Sequence, residues 1–139
     1  MSENATRITV DKLYDAYRRR DIESVAALLH DDIDWVIYSP IDVFPFAGQR
    51  RGRAAVLQAI AQRDEVYALQ SHSPEIEIVE GDRAAVMADV GFKQLASGRI
   101  LRFRVADFLR MQDGRLIEFR EFADSFDLVE QAVGHAVEI

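Results

Sequence analysis

The chain has 139 residues, 49% of them apolar and 29% charged, the balance of an ordinary globular protein and not of a disordered or membrane-embedded chain. A single domain spanning residues 1–139 around one core is the expectation at this length. A formal charge of -7 opposes nucleic acid as a partner, because phosphate binding needs a basic face. The absence of cysteine excludes disulfides, thiolate metal sites and a cysteine nucleophile.

His30, His72 and His135 are the only histidines, and no two share a metal-ligand spacing, so neither a metal nor a cofactor is expected. No apolar run approaches the ~20 residues that span a bilayer, so no membrane partner is expected. The first seven residues lack the apolar stretch of a signal peptide, and a cytoplasmic site is the expectation.

In chain order, Thr9 reads as an N-cap, and Val10, Leu13, Tyr14 and Tyr17 recur at helical spacing behind it. Arg18, Arg19 and Arg20 end this helix at its negative pole. Asp21 then caps a short second helix with Ile22, Val25, Ala26 and Leu29 inward, stopping near His30. Residues 32–39, rich in β-branched and aromatic side chains and halted by Pro40, predict a strand. Residues 40–52 read as an apolar loop carrying Val43, Phe44 and Phe46, and a third helix is expected from Arg53 to about Leu69, with Tyr67 on its apolar face. Strands are expected at residues 74–80, 83–95, 99–111 and 115–123, joined by short glycine turns that make antiparallel hairpins. A closing helix over residues 124–133 ends at Gly134. Helices gathered before a meander of strands give an α+β fold with helices on one face of a sheet.

The run at 99–111 carries the main chemical signal. Alternation puts Leu101, Phe103, Val105, Asp107, Leu109 and Met111 on one face, and Arg102, Arg104, Ala106, Phe108 and Arg110 on the other. Asp107 is thus one acid on an apolar face. It either pairs with an arginine or a backbone amide and fixes the sheet, or stays protonated and serves as an acid. In the last strand neither alternating set is purely apolar, so the direction of Glu121 stays open between the pocket and a pairing with Arg104 or Arg120. His72 is a candidate acid-base group at a strand start, or a strand-end histidine with no role. Arg50, Arg51 and Arg53 either grip an anionic substrate or are solvated surface.

The helix-1 region running into DIESVAALLHDDIDW, then PFAGQRRGRAAV, then DFLRMQDGRLIEFREFADSFDLVEQ resembles the SnoaL-like and ketosteroid-isomerase-like branch of the nuclear-transport-factor-2-like superfamily. The resemblance covers nearly the whole chain and implies a cone-shaped α+β barrel. Its curved, mostly antiparallel sheet would be packed by three N-terminal helices and a short C-terminal helix. It also implies a homodimer paired through the outer face of the sheet, which would account for the arginines there. Ketosteroid isomerases hold an enolate with a helix-1 tyrosine and a protonated late-strand aspartic acid, and Tyr14 and Asp107 match those positions.

The isomerase's basic aspartate falls on Ile37 or Ser39, neither of which can abstract a proton, so steroid isomerisation is not expected. Against the related limonene-type epoxide hydrolases, Glu121 matches the last-strand acid, Asp89 is off by one position, and Met87 stands in place of the arginine. The resemblance also implies a pocket for a small apolar or polycyclic molecule, lined by Trp35, Tyr38, Phe44, Phe46, Phe103, Phe119 and His72. Asp107, Tyr14 and Glu121 are the candidate catalytic residues for isomerase, cyclase or lyase chemistry. A non-catalytic ligand-binding or structural homodimer is the alternative, and an epoxide-hydrolase-like enzyme is the second. A cavity of several hundred cubic ångströms beside Tyr14 would favour the catalytic reading.

Overall fold

The computed structural model describes residues 2–139. Helix α1 (Glu3–Arg18) starts two turns earlier than expected, with Ser2 and not Thr9 as its cap. The Ser2 hydroxyl accepts from the Ala5 amide at 3.0 Å, whereas Thr9 bonds back to the Ala5 carbonyl inside the helix. The opening turns are mostly solvent-exposed, so no apolar period announces them. Asp21 caps α2 (Ile22–Leu28) as expected, by accepting from the Ser24 amide.

Strand β1 (Leu29–Tyr38) follows without a break and begins three residues before the expected position. The segment read wholly as loop contains a short strand, β2 (Gly48–Arg51), antiparallel to β1. Helix α3 (Arg53–Asp64) stops well short of Leu69. The Val66 amide turns back to the Arg63 carbonyl at 3.0 Å, and Tyr67 enters β3 (Tyr67–Glu80), a strand expected only from residue 74. Strands β4 (Arg83–Gln94), β5 (Ile100–Gln112) and β6 (Arg115–Ala123) fall close to expectation. Helix α4 (Ser125–Val133) is capped by Asp124 and ended by Gly134 in the left-handed conformation, φ 84°.

The strands form one open, mixed sheet in the order β2-β1-β6-β5-β4-β3, in which only the β1–β6 pairing is parallel. Bulges between Leu69 and Ser71 and between Pro74 and Ile76 interrupt the β3–β4 ladder, and such irregularities bend a sheet. The helices lie against its inner face. Three apolar clusters divide the interior. One gathers Val10, Leu13 and Tyr14 of α1 with Val86, Leu109, Met111 and Leu116; a second gathers Phe44, Ala47, Tyr67, Leu101, Leu128 and Ala132; the smallest gathers Ala88, Val90 and Val105.

On β5, Leu101, Val105, Asp107, Leu109 and Met111 are buried, while Arg102, Arg104 and Phe108 are exposed. A bulge in β6 explains why its pattern is ambiguous. Met111 faces Leu116 but Arg110 faces Glu118, leaving Ile117 as the extra residue. Leu116 and Phe119, three residues apart, are therefore both buried, and from Phe119 onward the alternation carries Glu121 and Ala123 inward.

Candidate active site

A cavity of about 110 Å³ lies among the three apolar clusters. It falls short of several hundred cubic ångströms, and is of the order of the ~150 Å³ engineered void that admits a benzene ring. Its walls are largely aliphatic and aromatic. Trp35, Phe44, Phe46, Phe103, Phe119 and His72 all border it, as do Tyr14, Asp107 and Glu121. Trp35 stacks on Phe119 with ring centres 4.2 Å apart, and Phe92 stacks on Phe103 at 5.8 Å.

Tyr38 is the exception among the expected lining residues. It is 44% exposed and stacks on Phe122 at 4.4 Å, on the outer side of the sheet. The physical reason is strand parity. Trp35 and Tyr38 are three residues apart on β1, so their side chains leave opposite faces.

Asp107 is 2% exposed. The Tyr14 hydroxyl donates to its Oδ2 at 2.7 Å, joining the first helix to the centre of the sheet. Glu121 stands directly opposite Asp107 in the antiparallel β5–β6 register, and directly beside Ile37 in the parallel β1–β6 register. Asp107 Oδ1 has no donor among the described residues. The neighbouring Glu121 carboxyl becomes a hydrogen-bond partner only when one of the two acids keeps a proton.

The electrostatics agree with a retained proton. Burial, then the charge of Glu121 and a hydrogen bond to its carboxyl, hold Asp107 well above the usual carboxylate range, against the opposing pull of the Tyr14 hydroxyl. Burial also raises Glu121, but the hydrogen bond to Asp107 and the charge of Arg63 pull it back. Both carboxyls are thus held above the ordinary range, Asp107 the more strongly, so that a proton held by the pair settles first on Asp107. Burial, followed by the charge of Asp107, pushes Tyr14 well above its ordinary value, so it remains a donor.

His72 lies within β3 and not at its start. Its ring stacks on Tyr14 at 5.0 Å and meets the edge of Tyr17 at 5.6 Å. The Arg18 guanidinium donates to Nδ1 at 3.2 Å, which assigns the ring proton to Nε2. Burial, helped by the Arg18 charge, brings the imidazole down to about 4. His72 is therefore a neutral wall of the cavity at physiological pH.

Tyr17 and Arg63 are among the lining residues that sequence reasoning misses. Tyr17 reads as one more apolar helix position, yet it borders the cavity, and its hydroxyl accepts from Arg63 Nη1 at 3.1 Å. Burial pushes its phenol up to about 12. Arg63, in the last turn of α3, looks like a surface cation matched to the helix dipole, but only 14% of its side chain is exposed. In the arginine cluster that precedes α3, Arg50 and Arg53 are engaged elsewhere. Arg53 holds the Leu29 carbonyl and Asp31, and Arg50 holds the carbonyls of Gln49 and Pro45.

Asp89 and Met87 register with Arg104 and Ala106 on the outward face of β4 and do not border the cavity. The epoxide-hydrolase arrangement therefore keeps only Glu121. Among the described residues, no group of three or more histidines and carboxylates is placed to hold a metal ion, and no helix is long and apolar enough to cross a membrane.

The profile of the SnoaL-like domain family matches residues 10–119. No curated protein matches the sequence. Among solved structures, a Rhodopseudomonas palustris protein provisionally named an isomerase is 37% identical. The match covers 97% of this chain and 100% of that one, with a TM-score of 0.84. An NTF2-like protein of unknown function from Burkholderia pseudomallei is 22% identical, over 95% and 98% of the two chains, with a TM-score of 0.85. An epoxide hydrolase from M. tuberculosis, of the LEH-like type, is 14% identical over 95% and 92%, with a TM-score of 0.77. At such identities the last two speak for the fold alone.

Proposed function

The chain belongs to the SnoaL-like domain family, and from that premise we propose that its cavity performs acid-base chemistry on a small one-ring carbonyl compound. The observation that carries this reading is the desolvated cross-strand pair of Asp107 and Glu121, steadied by the 2.7 Å hydrogen bond from Tyr14. Glu121 is the base. It occupies the sheet level of Ile37, one strand over from the position where the isomerase base is missing. Its carboxylate takes a proton from the carbon next to the carbonyl, while Asp107 gives its proton to the carbonyl oxygen, leaving a neutral enol. Where the ring carries a β,γ-double bond, delivery of the Glu121 proton to the γ-carbon as Asp107 takes back the enol proton yields an isomer; where it carries a β-substituent, departure of that group with the Glu121 proton as Asp107 takes back the enol proton yields elimination. A raised carboxylate is suited to both tasks, because its proton affinity approaches that of the reacting groups.

The cavity volume selects one ring; a polycyclic molecule would have to extend through the aromatic rim. Cyclohexanone in heavy water is a direct probe, with deuterium entering beside the carbonyl and followed by NMR. The wild-type protein is expected to accelerate exchange above buffer, and Glu121→Gln to lower that acceleration by about 10²–10⁴-fold. Exchange no faster than buffer would remove the catalytic reading in favour of ligand binding alone.

The same reading includes self-association through the outer face of the sheet. Ile76, Ile78, Phe108, Phe122 and Tyr38 are 47%, 60%, 51%, 46% and 44% exposed there, a row of large apolar side chains crossing from β3 to β1. Such a continuous stripe favours a partner over water. Sedimentation of the wild type as a dimer and of Phe122→Glu as a monomer is expected. A monomeric wild type at micromolar concentration would contradict it.

A further inference from the structure

The cavity contains a cation whose part in the acid-base reading is confined to its charge near Glu121. Arg63 borders the same space as Asp107 and Glu121, with its guanidinium 5.2 Å from the centre of the Tyr17 ring and 5.3 Å from that of Phe92. Its counterion is Asp64, the next residue, whose side chain is 54% exposed. Nε and Nη2 donate to Asp64 Oδ1 at 3.3 and 3.1 Å, and Nη1 donates to the Tyr17 hydroxyl at 3.1 Å. A guanidinium has five N–H bonds, so two remain unspent, one on each terminal nitrogen. No ion pair joins Arg63 to Glu121 or Asp107 among the described residues.

A cation at the last turn of a helix ordinarily extends into water. This one turns inward, where desolvation opposes its charge but Tyr17, Asp64 and Glu121 more than offset that opposition and hold the guanidinium charged. Its two unspent N–H bonds remain for an anion that arrives from the cavity side. A planar anion fits best, because the two unspent N–H bonds lie in the plane of the fork. Phe92, which carries the guanidinium on its face, also stacks on Phe103, so an aromatic surface lies beside the cationic one.

We infer that Arg63 is the specificity group of the cavity, and that the ligand is a monocyclic carboxylate whose carboxylate meets the two unspent N–H bonds of the guanidinium. This inference rests on the reading above only in taking the cavity as the ligand site; it does not require that chemistry occurs there. Recognition by Arg63 leaves Asp107 and Glu121 to act on another part of the same ring.

Trp35, the single tryptophan, lines the cavity and makes its fluorescence the readout. Benzoate and benzamide serve as the probes, equal in size and unequal in charge. Wild-type protein is expected to bind benzoate about tenfold or more tightly than benzamide. Arg63→Met removes that preference while keeping benzamide affinity, and Arg63→Lys keeps part of it by retaining the charge without the fork. Asp107→Asn and Glu121→Gln retain benzoate binding even if they abolish proton transfer, which separates this inference from the catalytic one. Equal affinity for the two probes, no binding of either, or undiminished benzoate binding by folded Arg63→Met would overturn it. Should Arg63→Met fail to fold, the wild-type preference and its reduction in Arg63→Lys decide the matter, and an Arg63→Lys protein that matches the wild type counts against it.

Discussion

The two faces of one sheet treat the same chemical group in opposite ways. On the outer face Asp34 meets Arg120 at 3.0 Å and Gln49 at 3.0 Å, and these partners hold its carboxyl below the ordinary range. On the inner face Asp107 meets a phenol, a second carboxyl and apolar walls, and is held well above that range. The strands carrying them are separated only by β6. Composition does not distinguish the two aspartates; the number of compensating donors does. A carboxyl that a strand puts on the face the helices cover, with too few donors around it, is held above its ordinary range.

Several substitutions would break or sharpen this contrast. The largest effect is expected from Phe119→Ala on the inner face. The side chain is 5% exposed and stacked on Trp35, and truncating it costs about 3–5 kcal/mol in chemical denaturation. Phe122→Ala on the outer face, 46% exposed, costs the monomer less than about 1 kcal/mol. Equal losses would erase the distinction between the faces.

His72 comes next. Its native value of about 4 lies below the unfolded one, so the unfolded chain binds the extra proton first as pH falls. The stability its neutral form contributes is complete above the unfolded value of about 6.5 and is lost as pH descends towards 4. His72→Gln should flatten that acid limb by up to about 2 kcal/mol in stability measured between pH 7 and 4.

Asp107→Asn carries a smaller change of opposite sense. A carboxyl raised in the folded state loses stability as pH climbs from the unfolded value through the folded one. The amide removes that loss, and a gain of about 1–2 kcal/mol is expected at pH 8, vanishing towards pH 4. Asp34→Asn, whose carboxyl is lowered, should cost less than about 1 kcal/mol at pH 8 and nothing at low pH. If both asparagine variants move melting temperature in the same direction at pH 8, the two-face account is wrong.

Much of this site is legible along β5, because strict alternation isolates Asp107 among Leu101, Val105, Leu109 and Met111 without any knowledge of the fold. The neighbouring strand is not legible in the same way. The bulge at Ile117 shifts the period by one residue, and only pairing with β5 shows that Glu121 faces inward. Strand β2 has no apolar content to announce it; its sequence, GQRR, is ordered by the β1 ladder. Tyr67 keeps helical spacing with α3 although the backbone has already turned into β3, since side-chain period persists across a boundary that only hydrogen bonding reveals. Tyr38 could have been placed from the sequence by counting from Trp35. Arg63 could not, because only tertiary packing distinguishes a cation turned inward from one that caps a helix in water.

The central claim is that Asp107 and Glu121 share one proton at neutral pH. Carbon-13 NMR titration of the labelled side-chain carboxyls, assigned with Asp107→Asn and Glu121→Gln, tests it most directly. The account predicts that the Asp107 signal remains that of a carboxylic acid at pH values where the Asp34 signal has long been that of a carboxylate. Asp107 and Glu121 both ionising in the ordinary range around 4 would contradict it.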